Sequence, residues 1–253
     1  MIETIQLRLQ GHSDIPPADL RLVNGRCYGL FDAGDGAASA LLAVLAGAEA
    51  PASGAVRVGG FDTVTEPTSV GRCVGYCPSD AAFYDRMTVW ELLTFVSELH
   101  GEGGARAARE IHKLLEELEL DDRRNTLIGK LSIDEHRRVS LAQALVSDPE
   151  TILLDEPTRG LRSADAAAFR EDIRHLTERG KTVFLASSNA GELSALCDRF
   201  LFVDTEGVTA PMDREELATA AHTPALSVFL GLDTKHTGGA TEASNEHGEE
   251  AAE

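Results

Sequence analysis

Five short apolar runs, at 27–31, 74–77, 151–154, 182–186 and 200–203, punctuate the chain between stretches of helical periodicity. Each is too short for a buried helix and lacks the alternation of a strand with one wet face. Such runs belong to strands covered on both sides, and those alternate with helices in a mainly parallel sheet. The start of the chain differs. Ile5, Leu7 and Leu9 alternate with polar residues over 2–9, and 19–23 and 55–58 read similarly, which predicts half-buried strands of an antiparallel part. The expected fold class is α/β, a mainly parallel core with an N-terminal antiparallel β part.

Between about 85 and 147 the pattern turns helical. Thr88 with Glu91, and Ser132 with Glu135, carry the spacing of a capping box. They predict helices from Thr88 to about His100 and from Ser132 to about Ser147, with another over about 105–120. The expected architecture is one domain over 1–232 with this helical lobe inserted into the α/β core. From 233 to 253 Gly, Thr, Ala and Glu follow without periodicity, the composition of a disordered acidic tail.

Two segments carry chemistry. "GLFDAGDGAASALLAVLAG" (29–47) leads from an apolar run through a Gly-rich turn into a helical stretch from Ser39. That is the layout of a phosphate-binding loop, where a helix N-terminus offers amides and a dipole to an anion. "TILLDEPTRGL" (151–161) ends a buried strand on Asp155 and Glu156, at the sheet edge where open α/β sheets bind ligands. In a nucleotide hydrolase an Asp there orders magnesium and a Glu activates water.

"LSIDEHRRVSLAQALVSDPE" precedes this strand and "KTVFLASSNAGELSALCDRF" comes after it. In order and spacing the motifs resemble the ATP-binding subunits of ABC transporters over residues 1 to about 230. The resemblance implies a P-loop NTPase-like core with ATP and magnesium as cofactors. It also implies subunits paired head to tail, with two ATP molecules closed between the phosphate loop of one and the signature helix of the other. Hydrolysis would drive a membrane permease, one helix of which docks beside 82–95.

Carried over by position, the resemblance assigns Glu156 as the catalytic carboxylate. Gly34, Gly36, Ser39 and Asp155 become nucleotide-binding positions, and Ser39 and Asp155 the magnesium ligands. Elsewhere the family pattern is replaced. Residues 1–27 contain no aromatic to stack on adenine. The phosphate-loop lysine falls at Ala38 and its flanking glycines at Asp32 and Ala37. The γ-phosphate-sensing glutamine falls at Ser79, and the signature "LSGGQ" reads Leu131, Ser132, Ile133, Asp134, Glu135. The Asp expected after "GL" is Arg162, and the switch histidine is Ser188.

Magnitudes weigh these changes. A lysine–phosphate contact contributes about 1.5–3 kcal/mol, and base stacking about 1–3 kcal/mol. Asp32 and Asp35 beside a triphosphate add repulsion of about 3 kcal/mol per charge pair at about 5 Å and an effective dielectric of about 20. Micromolar ATP affinity amounts to about −8 kcal/mol, so the sum is large enough to remove most of it.

The leading expectation is an ABC-type subunit with degenerate nucleotide sites, a structural or regulatory partner of a permease rather than an ATPase. The alternative is a working ATPase with an unusual, weak site. A third reading, a dinucleotide enzyme built on Gly34, Asp35 and Gly36, needs a third glycine where Ser39 stands. Asp155 and Glu156 serve strand-to-turn geometry as readily as function. Arg137 and Arg138 read as a solvated face, and the apolar residues of 82–95 as lobe core.

The formal net charge of −19 argues against unaided binding to nucleic acid or an anionic membrane. It suits an acidic, halophilic-type surface that stays soluble when salt screens its charge. Cys27, Cys73, Cys77 and Cys197 lack metal-site spacing and read as free thiols of a reducing compartment. No signal-peptide pattern is present, and no apolar run nears the roughly 18 residues of a membrane span. The expected location is cytoplasmic, on the inner face of the membrane through a permease, as a homodimer or heterodimer.

Overall fold

The computed structural model describes residues 1–32, 36–220 and 223–231. Its centre is a six-stranded sheet in the order β10-β9-β3-β8-β7-β6. These strands are β3 (Cys27–Asp32), β6 (Val74–Cys77), β7 (Thr151–Asp155), β8 (Thr182–Ser187), β9 (Arg199–Asp204) and β10 (Gly207–Val208). All neighbours pair in parallel except β10, which pairs antiparallel with β9. All five apolar runs are therefore strands of one sheet. Their lack of alternation has a direct cause, since both faces are buried. Ile152 and Leu154 of β7 point into one core with Phe169 and Phe200, while Leu153 points into another with Leu30 and Phe184. Each such side chain removed from water contributes about 1.5–3 kcal/mol.

The second core is closed by the N-terminal sheet, in the order β2-β1-β4-β5, and by the first helix, α1 (Ala37–Leu45). The strands are β1 (Ile2–Arg8), β2 (Arg21–Leu22), β4 (Ser53–Val58) and β5 (Phe61–Asp62), all antiparallel. The alternation read for β1 needs a correction: Ile5 is 58% exposed, while Ile2, Thr4, Leu7 and Leu9 are buried. Gln6 takes a left-handed φ of 50° and breaks the register between Ile5 and Arg8. Its main-chain and side-chain N–H groups donate to the two oxygens of Asp19 at 2.7 and 2.6 Å. Across the bulge stands Gly54, where any Cβ would lie 2.3 Å from the Gln6 carbonyl oxygen. The slip of one residue carries the buried set from even to odd positions.

The helices α2 (Pro67–Cys73), α6 (Ser163–Glu178), α7 (Ala190–Leu196), α8 (Arg214–Leu217) and α9 (Pro224–Phe229) flank the sheets. Between β6 and β7 lies the expected lobe: α3 (Val89–Leu99), α4 (Gly104–Glu117) and α5 (Ile133–Leu145), with two short 3-10 turns. Both predicted capping boxes form, Thr88 with Glu91 and Ser132 with Glu135. The third helix stops at Glu117, short of the expected end, and Glu119 turns left-handed with φ 54°. Lobe and sheet meet where α5 crosses β6. A Cβ on Gly75 would come within 2.0 Å of the Ala144 carbonyl oxygen, so only glycine permits that approach.

Arg138 departs from the solvated face expected of it. Its side chain is only 12% exposed. It donates to the Leu118 carbonyl at 2.8 Å and pairs with Glu119 at 3.0 Å and Asp172 at 3.9 Å, tying α5 to the end of α4 and to α6. All four cysteines are free; Cys27, Cys77 and Cys197 are buried and Cys73 is half-buried. No helix among the described residues is long and apolar enough to cross a membrane.

Candidate functional site

The parallel register brings the C-terminal ends of β3, β8 and β7 level: Leu30 lies beside Ala186, and Ala186 beside Asp155. The C-terminal ends of these three strands therefore form one edge. After β3, Gly36 adopts φ 83° at the N-cap and α1 begins at Ala37, two residues ahead of the start expected at Ser39. The left-handed backbone explains the glycine there. Gly34, like Asp35, lies outside the described residues. Ala37 and Ala38 are buried at the foot of the helix.

Ser39 and Asp155, expected to share a magnesium ion, do meet. The Ser39 hydroxyl donates to Asp155 Oδ1 at 2.8 Å across 116 residues of sequence. Asp155 is 2% exposed. Burial raises its pKa above the usual carboxylate range, the neighbouring charge of Glu156 adds to this, and hydrogen bonds from Ser39 and Ser79 oppose it. Ser79, at the glutamine position, is thus a partner of Asp155 in this edge. A hydroxyl and a carboxylate oxygen are hard donors of the kind magnesium prefers.

Glu156 sits just past the strand with a left-handed φ of 46°. Its carboxylate accepts the main-chain N–H of Ser188, the switch position, at 2.8 Å. Asp32, at the end of β3, is 8% exposed and accepts the main-chain N–H of Ala38 at 3.1 Å through Oδ2. At the signature end of the lobe, the Ser132 hydroxyl donates to Asp134 Oδ1 at 2.7 Å, and Ile133 beside it is 66% exposed.

One residue of this edge had no place in the sequence reading. Glu192 of α7 has a side chain only 1% exposed. It accepts from Thr158 at 2.5 Å and from Ser187 at 2.7 Å, with Arg170 at 3.8 Å. It thereby joins the turn after Glu156 to the segment carrying Ser188. The available signal was an acidic residue beside Leu193 in an otherwise apolar short helix.

Among the described residues no cluster of three or more His, Cys, Asp or Glu side chains is arranged for a metal. A separate cavity of about 840 Å³ lies between α4, α5 and α6. Of its basic lining residues, Lys113, Arg179 and Lys181 are paired with Glu117 and Asp148.

A mainly parallel sheet with a helix-borne hydroxyl and an acidic pair at its C-terminal edge, and a helical lobe between two of its strands, is the architecture of a P-loop NTPase-like cassette. The family model described as "ABC transporter" matches residues 18–159. The chain is 31% identical over 185 residues to the ABC transporter ATP-binding protein NatA of Bacillus subtilis, covering 73% of this chain and 75% of that one. It is 30% identical over 212 residues to the daunorubicin resistance ATP-binding protein DrrA3 of Streptomyces coeruleorubidus, covering 84% and 67%. Among solved structures, an ATP-binding subunit of an ABC transporter superposes with a TM-score of 0.75 at 20% identity, over 92% of this chain and 94% of that one. A dimeric bacterial ABC transporter cassette superposes equally well, with coverage of 84% and 98%. This chain belongs to the ABC transporter ATP-binding subunits.

Proposed function

We propose that this chain is an ABC transporter ATP-binding subunit that has given up nucleotide turnover and acts as the structural or regulatory partner of a membrane permease. One observation carries the reading: the phosphate-binding edge is acidic, and its loop and helix bring no cation. Asp32, Asp155 and Glu156 gather there, while residues 27–46 contain no Lys or Arg and Ala38 fills the lysine position. A triphosphate brought to this edge meets the Asp32 carboxylate beside the position where the lysine would be, at about 3 kcal/mol of repulsion for each charge pair about 5 Å apart. The magnesium pair, Ser39 with Asp155, is suitable in kind; the phosphate side does not fit.

In this reading residues 1–232 are the cassette and 233–253 an appended acidic tail. The permease docks on the lobe face around 83–95, where Tyr84 is 69% and Phe95 45% exposed. That docking places the chain on the inner face of the membrane. Both halves of a composite site are altered, Ala38 in one and Ile133 with Asp134 in the other. A nucleotide that does not distinguish free from paired subunits shifts nothing. Sedimentation of the purified chain should therefore give the same mass with and without millimolar ATP and magnesium. Dimers that form only with ATP would overturn the reading. They would favour the second one, a working ATPase with a weak site, for which the retained Ser39–Asp155 contact speaks.

A further inference from the structure

Asp32 is the side chain whose position says most about the altered site. The first-turn N–H groups of a helix have no partner within the helix, and the helix dipole makes that end attractive to anions. In α1 an anion is already there. The Asp32 carboxylate reaches from the last residue of β3 to the Ala38 N–H at 3.1 Å, and only 8% of the residue remains open to solvent. In the same turn, the Ser39 hydroxyl donates to Asp155. We infer that Asp32 is a built-in competitor for phosphate: its carboxylate occupies the main-chain amide that a bound phosphoryl group would need, and keeps the site closed to nucleotides. This rests on the reading that the site is degenerate and gives that degeneracy a specific cause. Loss of the lysine alone leaves the amides of the helix available to a phosphate. A carboxylate tethered in the same polypeptide removes one and repels the ligand as well.

The competitor makes the two substitutions interdependent. A lysine restored at position 38 would be neutralised in part by Asp32 beside it. Binding of Mg-ATP and of inorganic phosphate should be measured by calorimetry at fixed ionic strength for the parent, Ala38→Lys, Asp32→Gly, Asp32→Asn and both doubles. Thermal melting of each protein monitors the fold. Ala38→Lys alone should gain little, and adding Asp32→Gly should tighten Mg-ATP by at least about tenfold over Ala38→Lys. Asp32→Asn keeps the size and an acceptor for the Ala38 amide while removing the charge, so it stands in if the glycine variant unfolds. Its double should tighten Mg-ATP in the same direction. Equal affinity of Ala38→Lys and both doubles would overturn the role of Asp32 and leave the degenerate-site reading standing. Micromolar Mg-ATP binding by the parent would overturn that reading. Asp32 would then remain a competitor only if Asp32→Gly or Asp32→Asn bound tighter still.

Discussion

The carboxylate of Glu156 and the main-chain N–H of Ser188 are joined at 2.8 Å, so the residue that the family pattern assigns to activating water accepts a hydrogen bond from the segment carrying the switch position. The Glu156 N–H is also engaged, donating to the Ala186 carbonyl at 2.9 Å. A working general base contributes about 10²–10⁴-fold to a rate, whereas phosphate release by the parent and by Glu156→Gln should agree within about twofold. Loss of turnover in the variant, on the scale of a general base, would show that Glu156 works.

Asp155 links pH to stability. Burial is the largest influence on its pKa and raises it, while hydrogen bonds from Ser39 and Ser79 oppose. The folded chain then holds its proton to higher pH than the unfolded chain does. Stability attributable to this group is full below the usual carboxylate value of about 3.9 and falls as pH rises through the raised folded value. Asp155→Asn, neutral throughout, should melt higher than the parent at neutral pH and lose that advantage in acid. Each kcal/mol recovered corresponds to roughly 2–4 °C in a chain of this size. Asp172, raised chiefly by burial as well, gives both proteins the same background slope. A variant that melts lower at neutral pH would mean that the accepted hydrogen bonds outweigh the burial.

Glu192 is the buried acid whose removal should cost most. Glu192→Ala strands the Thr158 and Ser187 hydroxyls and leaves Arg170 without its counter-charge. Leaving a buried donor unsatisfied costs about 1–3 kcal/mol, or roughly 2–12 °C at 2–4 °C for each kcal/mol. Glu192→Gln, which keeps an oxygen for a hydroxyl, should lose less. Melting curves of the two variants check the order, and equal losses would assign the effect to charge alone.

The central sheet was legible because strands covered on both faces leave unbroken apolar runs, and the lobe because Thr88 and Ser132 carry caps that the structure forms. The phase of β1 was not legible. Alternation has the same period on either side of a bulge, and only the Asp19 clamp on Gln6 decides where the slip falls. The Ser39–Asp155 meeting followed from motif order. The contacts that define this site's present state did not. Asp32 reads in sequence as a charge near a phosphate; its bond to the Ala38 amide depends on how β3 ends. Arg138 and Glu192 were hidden for a similar reason, since their partners lie on other elements.

The strand order has a consequence for how the chain is made. All six residues of β3 are buried, yet both its neighbours, β8 and β9, are encoded far downstream. Cys27 pairs in register with Val183, 156 residues later (183 − 27). At about 5–20 residues per second on a ribosome, β3 spends roughly 8–30 s with neither edge hydrogen-bonded to its partner. Until α6 has passed and β8 emerges, the nascent chain holds an apolar strand with two open edges. No N-terminal fragment ending before β8 contains a native neighbour of β3, so the central sheet closes around this strand only once the C-terminal third of the chain has been made.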